Sequence, residues 1–169
     1  MKNDLSFEYI SQDILKNRKF QKIAYETHHG ITRMEHTMRV AKYVYKVSKK
    51  LNLDYVSATR AALMHDFFTN EEFGTIHGLG TGVVHPHMAL QNARGEFEVN
   101  EIEANAIEAH MFPLTLKLPK YKESWVLTLT DKCVAIYEDL CFKFNYAKLT
   151  QKLNLGVILA FYILTMGRK

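Results

Sequence analysis

Cysteine and proline are scarce in this 169-residue sequence, which has only two cysteines and three prolines. Cys133 and Cys141 are eight positions apart, so on one helix they would lie two turns from each other, too far for a disulfide. We therefore expect both to be reduced core residues in a reducing compartment. Internal repeats, low-complexity segments and linkers are also lacking, which predicts a single domain over residues 1–169.

Long hydrophobic runs are lacking as well. The longest, residues 155–166, is too short to span a bilayer, and the N-terminus has no apolar segment typical of a signal peptide. We expect a cytoplasmic protein, in which residues 155–166 form a core helix, a homodimer contact or a membrane-surface contact. No block of lysine and arginine indicates a nucleic-acid arm, so the net charge of +4 suits a small anionic substrate.

Strand-like alternation of apolar and polar residues is not convincing anywhere, and long stretches instead have helical spacing. The spacing predicts a first helix over about 4–22. Thr32 is expected to cap the next helix, with Glu35 completing a capping box, and that helix runs to about residue 50. Asp54 caps a third helix, which ends at the adjacent pair His65 and Asp66.

Four of the eight glycines lie between residues 69 and 84, and this composition predicts a loop. Pro86 is expected to open the following helix at its first position. Asn100 caps a further helix that ends near Pro113, and the longest helix is expected over about 120–142.

Three of these helices are expected to turn a histidine or an aspartate toward the core. His36 lies one turn before an apolar stripe, His65 and Asp66 follow a small-residue face, and Asp131 lies on an apolar face of the longest helix. Taken singly, each histidine can be explained as a core residue whose hydrogen bonds are satisfied, and each aspartate as an acid whose carboxylate is capped by hydrogen bonds. A buried carboxylate without a partner is costly, however. A cluster of these residues would suit a metal site with nitrogen and oxygen ligands, and no cysteine is present there to suggest structural zinc.

In this order, His36, then His65-Asp66, then Asp131 resembles the H…HD…D signature of the HD-domain superfamily of metal-dependent phosphohydrolases. The resemblance covers about residues 25–140. It implies an all-α bundle of about six to eight helices with a metal site in its core. An N-terminal helix over 1–24 and a C-terminal helical extension over 143–169 would flank it. His85-Pro86 and then His110 look like the extra histidines of the two-metal branch, and the stretches around His28 and His110 resemble small stand-alone bacterial HD proteins.

The resemblance also implies a division of roles. One divalent ion (manganese, iron, cobalt or magnesium) would be held by His36, His65, Asp66 and Asp131. Asp66 would bridge to a second ion, completed by His85 and His110, and a water activated there would attack phosphorus in line. Arg33 and Lys132 are candidate phosphate contacts in catalysis, with a place on the solvated surface as the alternative for each.

Some features depart from the two-metal branch. No lysine follows the His65-Asp66 pair closely and no Gly-Tyr-Pro element is present, which argues against cyclic di-guanylate as the substrate. His87 competes with His85 as a ligand, and His85 is preferred because it directly precedes the proline. The expected function is a phosphomonoesterase or phosphodiesterase acting on a nucleotide-like phosphoester. A one-metal nucleotidase, a non-catalytic nucleotide-binding regulatory module and a purely structural bundle are the alternatives.

Overall fold

The computed structural model describes residues 4–28, 31–73 and 79–144, and over these ranges the protein is all-α, as predicted. The described residues also form two short 3₁₀ helices, at Lys22–Tyr25 and Asn70–Phe73. They include one antiparallel hairpin, in which β1 (Thr27–His28) pairs with β2 (Ile31–Thr32). The α-helices of these ranges are α1 Phe7–Lys16, α2 Arg18–Gln21, α3 Arg33–Lys50, α4 Tyr55–Met64, α5 Leu79–Glu96, α6 Glu101–Ala109 and α7 Lys122–Phe144.

Helix α4 is the centre of the bundle, because α1, α3, α6 and α7 all pack against it. Ala58, Ala61 and Ala62 are completely buried, and their small side chains let the neighbouring helices approach closely. Leu63 and Met64 at its C-terminal end are also completely buried. The residues that directly follow α4, His65 and Asp66, therefore emerge inside the bundle rather than at its surface.

Local capping residues determine where three of these helices begin. Thr32 and Glu35 form the predicted capping box at α3, in which each side chain accepts a hydrogen bond from the other's backbone N–H. The Asp54 side chain accepts from the Ser57 N–H at α4, and Asn100 is the cap of α6. Each such cap stabilises the fold by about 1 kcal/mol, and the cap of α3 places His36 just beyond the first helical turn.

The predicted loop at 69–84 is wrong in its second half. Helix α5 already begins at Leu79, so Pro86 lies inside this helix and does not open it. One glycine at the start of α5, Gly82, has a packing reason. A Cβ atom on Gly82 would come within 2.9 Å of Leu114 Cδ2, so glycine permits a close approach of helix and loop. Tertiary packing overrides the weak helix propensity of glycine here.

Three other predicted helix boundaries shift. The first predicted helix is broken at Asn17, whose side chain accepts from the Phe20 N–H and starts α2, so that Phe20 becomes completely buried. Helix α6 ends at Ala109, before the cis peptide bond that precedes Pro113. The longest helix begins at Lys122 and reaches Phe144, two residues later at each end than predicted.

Both cysteines are free thiols; Cys133 is buried, as predicted, and Cys141 is partly exposed. Within the described residues, none of the helices combines the length and the apolar character needed to cross a membrane. The predicted apolar segment at 155–166 lies outside the described residues.

Candidate metal centre

The bundle brings together side chains from five separate helices or their ends. His36 comes from α3, the pair His65-Asp66 directly follows α4, and His85 comes from α5. His110 caps the C-terminus of α6 and Asp131 lies on α7. These six residues are the metal ligands predicted from the sequence, and they form two adjoining clusters.

The first cluster consists of His36, His65 and Asp131. Asp131 Oδ1 lies 3.0 Å from His36 Nε2 and 3.4 Å from His65 Nε2. One ligand atom from each residue lies within 4.8 Å of the other two, which is the spacing of donor atoms that share one ion. The cluster thus offers two imidazole nitrogens and a carboxylate, a donor set that suits borderline divalent metals.

The second cluster consists of Asp66, His85 and His110. Asp66 Oδ1 lies 3.5 Å from His85 Nε2 and 3.9 Å from His110 Nε2. The other carboxylate oxygen of Asp66, Oδ2, lies 3.8 Å from Nε2 of His65 in the first cluster. Asp66 therefore stands between the two clusters, with one oxygen turned toward each.

Three of the histidines have their ring orientation set by the main chain. His65, His85 and His110 each use Nδ1 to donate to a carbonyl oxygen three or four residues earlier in the chain, at 2.7–2.9 Å. Their respective acceptors are Ala62, Thr81 and Ile107. A carbonyl oxygen can only accept, so Nδ1 carries the proton and the Nε2 lone pair faces the site. This is the tautomer that a metal ion requires.

Two features of the site are those expected where histidine side chains share a cation. His85 Nε2 and His110 Nε2 are 2.9 Å apart, and with both Nδ1 atoms protonated their lone pairs would face each other. His65 Nε2 is buried and makes no hydrogen bond to any described residue. Unsatisfied buried polar atoms are rare in native proteins. The residues present therefore fit a divalent cation.

The electrostatics of the site favour the forms that bind metal. Burial, together with the nearby imidazoles of His85 and His65, lowers the pKa of His110 to about 3, so this ring is neutral. Burial alone would raise the pKa of Asp66, but the surrounding histidines hold it well below its usual range. The pKa of Asp131 is depressed in the same way, against its burial, by His36 and His65. Both carboxylates are therefore ionised and can act as ligands.

Two histidines, His65 and His36, hold a proton more tightly than usual in the metal-free site. Burial lowers the pKa of His65, but the carboxylates of Asp66 and Asp131 outweigh it and raise that pKa. The second ring nitrogen of His36 also meets a carboxylate. His36 Nδ1 lies 2.7 Å from Oε2 of Glu138, which is buried and forms an ion pair with Arg39. Burial lowers the pKa of His36, but the hydrogen bonds to Asp131 and Glu138 outweigh it and raise the pKa to about 10. Glu138 was not among the site residues predicted from the sequence. Its position seven residues after Asp131, two turns along the same face of α7, is the signal that could have found it.

Arg33 is buried, with 5% exposure, so the solvated-surface alternative is wrong for this residue. Its Nη1 donates to the Phe68 carbonyl oxygen at 2.7 Å and its Nη2 to Asn70 Oδ1 at 3.1 Å. The guanidinium carbon lies 3.8 Å from the centre of the Phe68 ring. Burial lowers the pKa of Arg33 despite the nearby carboxylate of Asp66. The guanidinium is thus held rigidly beside the second cluster.

Lys132 is partly buried, and its Nζ donates to the carbonyl oxygen of His110 at 2.8 Å. Burial lowers the pKa of this ammonium, against the attraction of Asp131. The described residues that line the cavity at the site do not include Lys132. Lys132 therefore holds the backbone that carries a candidate ligand.

A cavity of about 630 Å³ opens over both clusters, a volume in the range of small-molecule sites. Its floor includes His36, Asp66, His85, His110 and Asp131, and Arg33 lies on the same lining. The lining also includes the apolar residues Ile31, Phe73, Met111, Ala135 and Ile136. The cavity can therefore hold an anionic group at the clusters together with an apolar or aromatic moiety.

His87, the other histidine whose side chain the structure describes, is not part of either cluster. His87 is exposed, whereas His85 on the same helix is buried among the ligands. The structure thus favours His85 over its competitor, as the sequence analysis did. His29 and His77 lie outside the described residues.

Comparison with known families agrees with this geometry. The family model of the HD domain matches residues 33–136, which is more than half of the chain and includes every residue of the two clusters. Neither the comparison with curated proteins nor that with solved structures gave a significant match.

Proposed function

The chain belongs to the HD domain family, and on this basis we propose that it hydrolyses a nucleotide-like phosphoester at a site that binds two divalent metal ions. HD domains are in general metal-dependent phosphohydrolases, and His/Asp clusters able to hold metal are present here. Beyond the family's general activity, we propose the number of ions, the kind of substrate and the roles of individual residues.

The observation that carries the proposal is the position of Asp66 between two clusters. Oδ2 of Asp66 faces His65 of the first cluster, and Oδ1 faces His85 and His110 of the second. A carboxylate that can offer one oxygen to each of two ions is the usual bridge of a two-metal site. Two bound ions would supply a water nucleophile at neutral pH and offset the charge of the phosphoryl oxygens.

The chain's own residues would hold and orient the substrate. Arg33 uses one Nη1 and one Nη2 bond on Phe68 and Asn70, and a guanidinium has five N–H donors, so donors remain for a phosphoryl oxygen. Because its partners hold the guanidinium in place, little side-chain entropy is lost when substrate binds. The apolar lining around Phe73 and Met111 suits the base of a nucleotide-like substrate.

Asp66 is proposed as both ligand and catalytic residue, since its bridging oxygens would lie next to the reacting water. Lys132 is proposed to act indirectly, through its bond to the backbone of His110. In this view Arg33 binds the phosphate, and the six His and Asp residues would hold the ions that offset the negative charge of the phosphoryl group. Hydrolysis then depends mainly on positioning and electrostatic stabilisation.

The experiment is metal analysis by mass spectrometry on untagged protein, with Asp66→Asn as the control variant and circular dichroism to verify its fold. We expect about two equivalents of metal per chain, lost in large part in the variant, followed by turnover in a phosphoester screen with manganese, iron, cobalt and magnesium. About one equivalent, kept in Asp66→Asn, would contradict the bridged site and favour a one-metal nucleotidase. Nucleotide binding without turnover under all four metals would favour a regulatory module.

A further inference from the structure

The segment between α6 and α7 exposes several large apolar side chains. Leu116 is 95% exposed, Leu118 is 55% exposed and Leu114 is 45% exposed. Residues 111–122 contain no acidic residue but three lysines, at positions 117, 120 and 122. Single exposed leucines are common on protein surfaces, but three at alternate positions among lysines form a patch that calls for an explanation.

Hydrogen bonds hold this segment in its outward position. The buried side chain of Asn105 donates to the Leu118 carbonyl oxygen at 3.3 Å. Its Oδ1 accepts from the Lys120 N–H and from Ser124 Oγ, each at 2.8 Å. Pro119 is buried between the exposed neighbours. The backbone is thus anchored from inside at residues 118–120, next to the exposed leucines.

The lone tryptophan of the chain lies at the same place. Trp125 is 39% exposed and its ring packs edge-on against Phe112, with ring centres 5.7 Å apart. Tryptophan, with an apolar body and one N–H donor, is enriched where proteins meet the head-group region of a bilayer. It completes what we call the loop patch: Leu114, Leu116, Leu118 and Trp125, with Lys117, Lys120 and Lys122.

We propose that the loop patch docks this protein on the surface of an anionic membrane. Projecting leucines can insert between lipid head groups, and lysines beside them can reach lipid phosphates with their ammonium groups. Clustered lysines next to apolar side chains are attracted to anionic lipid. Glu108 pairs with Lys117 at 2.7 Å and offsets one of the three charges. Lys120 and Lys122 are exposed, and neither forms an ion pair with a residue in the described ranges.

Charge and shape favour lipid over a second copy of the chain. In a symmetric contact between two copies, the lysines of the loop patch would face the same lysines of the other copy, which disfavours this occupant. A nearly fully exposed leucine on a loop projects from the protein surface. Such a side chain can insert among lipid head groups more easily than it can be buried against a flat protein surface. The surface that complements the loop patch is therefore a bilayer, with negatively charged head groups over an apolar interior.

The loop patch adjoins the mouth of the candidate site. Met111 and Gly82 line the cavity, and Gly82 lies against Leu114. Docking through the leucines would therefore hold the cavity close to the head groups. This inference rests on the surface of the loop alone and does not depend on the proposed hydrolase activity.

Trp125 makes the test direct, because it is the single tryptophan and its emission reports on the loop patch. The protein is titrated with phosphatidylcholine vesicles, with or without phosphatidylglycerol. We expect the emission maximum to move to shorter wavelength, and iodide quenching to fall, only with the anionic vesicles, and the protein to float with them in a density gradient. Added salt should weaken this binding.

Matched variants identify the surface responsible. Leu116→Ser should weaken vesicle partitioning about tenfold or more, and Lys120→Gln and Lys122→Gln about fivefold each. Tyr25→Ser removes another highly exposed hydrophobic residue, 88% exposed, from a segment that packs on α2 and α3, and should leave partitioning unchanged. All four positions are exposed, so the melting temperature should hardly change.

Three results would overturn the proposal. One is the absence of both flotation and a spectral shift with anionic vesicles. Another is an equal loss of partitioning in Tyr25→Ser and Leu116→Ser. The third is a spectral shift that rises with protein concentration in the absence of vesicles, which would assign the loop patch to a contact between copies of the chain.

Discussion

His36 and Glu138 form a hydrogen bond of 2.7 Å that links the first turns of α3 to the C-terminal half of α7. Nδ1 of the imidazole donates to the carboxylate, which leaves Nε2 directed at Asp131, 3.0 Å away. Glu138 is itself held by Arg39. This arrangement of carboxylate, histidine and ligand position is typical of residues that orient a metal-binding imidazole.

Glu138→Gln is therefore expected to weaken metal binding. The amide can still accept from Nδ1, but it lacks the negative charge that makes the imidazole a stronger ligand, so the dissociation constant for Mn²⁺ should rise about tenfold or more. Isothermal titration calorimetry measures this change. Asp139→Asn is the matched control, since it removes one charge at the adjacent position, which also lines the cavity. Equal affinity losses in both variants would show a general charge effect and contradict the specific role of Glu138.

His110→Ala and His85→Ala should remove the second ion and spare the first. Their ligand atoms belong to the cluster of Asp66, whereas His36, His65 and Asp131 form the other cluster. We expect metal content to fall from about two to about one per chain and turnover to fall by about a hundredfold or more. His87→Ala, on the exposed side of α5, serves as the control. Nearly intact turnover in the two test variants would indicate a one-metal enzyme.

Arg33→Lys is expected to affect both stability and substrate binding. Lysine has no planar pair of donors, so one of the two acceptors, Phe68 O or Asn70 Oδ1, loses its partner. Asn70 is exposed and can bond to water instead, but leaving the carbonyl of the buried Phe68 unpaired would lower the free energy of unfolding by about 1–3 kcal/mol. The lost phosphate contact should raise KM about tenfold or more. Asn70→Ala keeps the guanidinium and its bond to Phe68, so it should change KM much less. Unaltered KM in folded Arg33→Lys protein would assign Arg33 to structure alone.

Metal affinity is expected to rise with pH. In the metal-free protein the pKa of His36 is raised from 6.5 to about 10, against its burial, by hydrogen bonds to Asp131 and Glu138, so an incoming ion must displace a proton. The affinity should improve by up to about tenfold per pH unit as the pH rises toward 10, and level off near pH 10, where His36 loses its proton without the ion. Calorimetry in two buffers of different ionisation enthalpy counts the released protons. Binding that releases no proton at pH 7.5 would contradict a protonated His36.

The raised pKa of His36 also makes the stability of the metal-free protein depend on pH. Because the folded-state pKa of His36 lies above its unfolded value, protonation stabilises the folded form. This contribution is complete below pH 6.5 and is lost as the pH rises toward 10. Thermal melts of chelator-treated protein should therefore show a falling melting temperature over that interval. Bound metal should remove the dependence, because the ion replaces the proton.

Much of the site could be predicted because its parts are local in the sequence. The capping box of Thr32 and Glu35 determines where α3 starts, and helical periodicity then turns His36 inward. The same reasoning places His65 at the end of α4 and Asp131 on the inner face of α7. Capping and periodicity act over a few residues, so most helices and the inward faces of His36, His65 and Asp131 could be predicted locally. The full set of six ligands was predicted from the resemblance to a known family.

Contacts between segments that are distant in the sequence were decided only by the tertiary structure. The bond from His36 to Glu138 spans 102 positions, and the burial of Arg33 depends on Phe68 and Asn70 from another segment. The start of α5 at Leu79 and the closeness of Gly82 to Leu114 likewise depend on packing. Local propensity is a weak term that packing overrides. The sequence by itself therefore determined which residues could bind metal, and the fold decided which partners orient them and which loop stands exposed beside them.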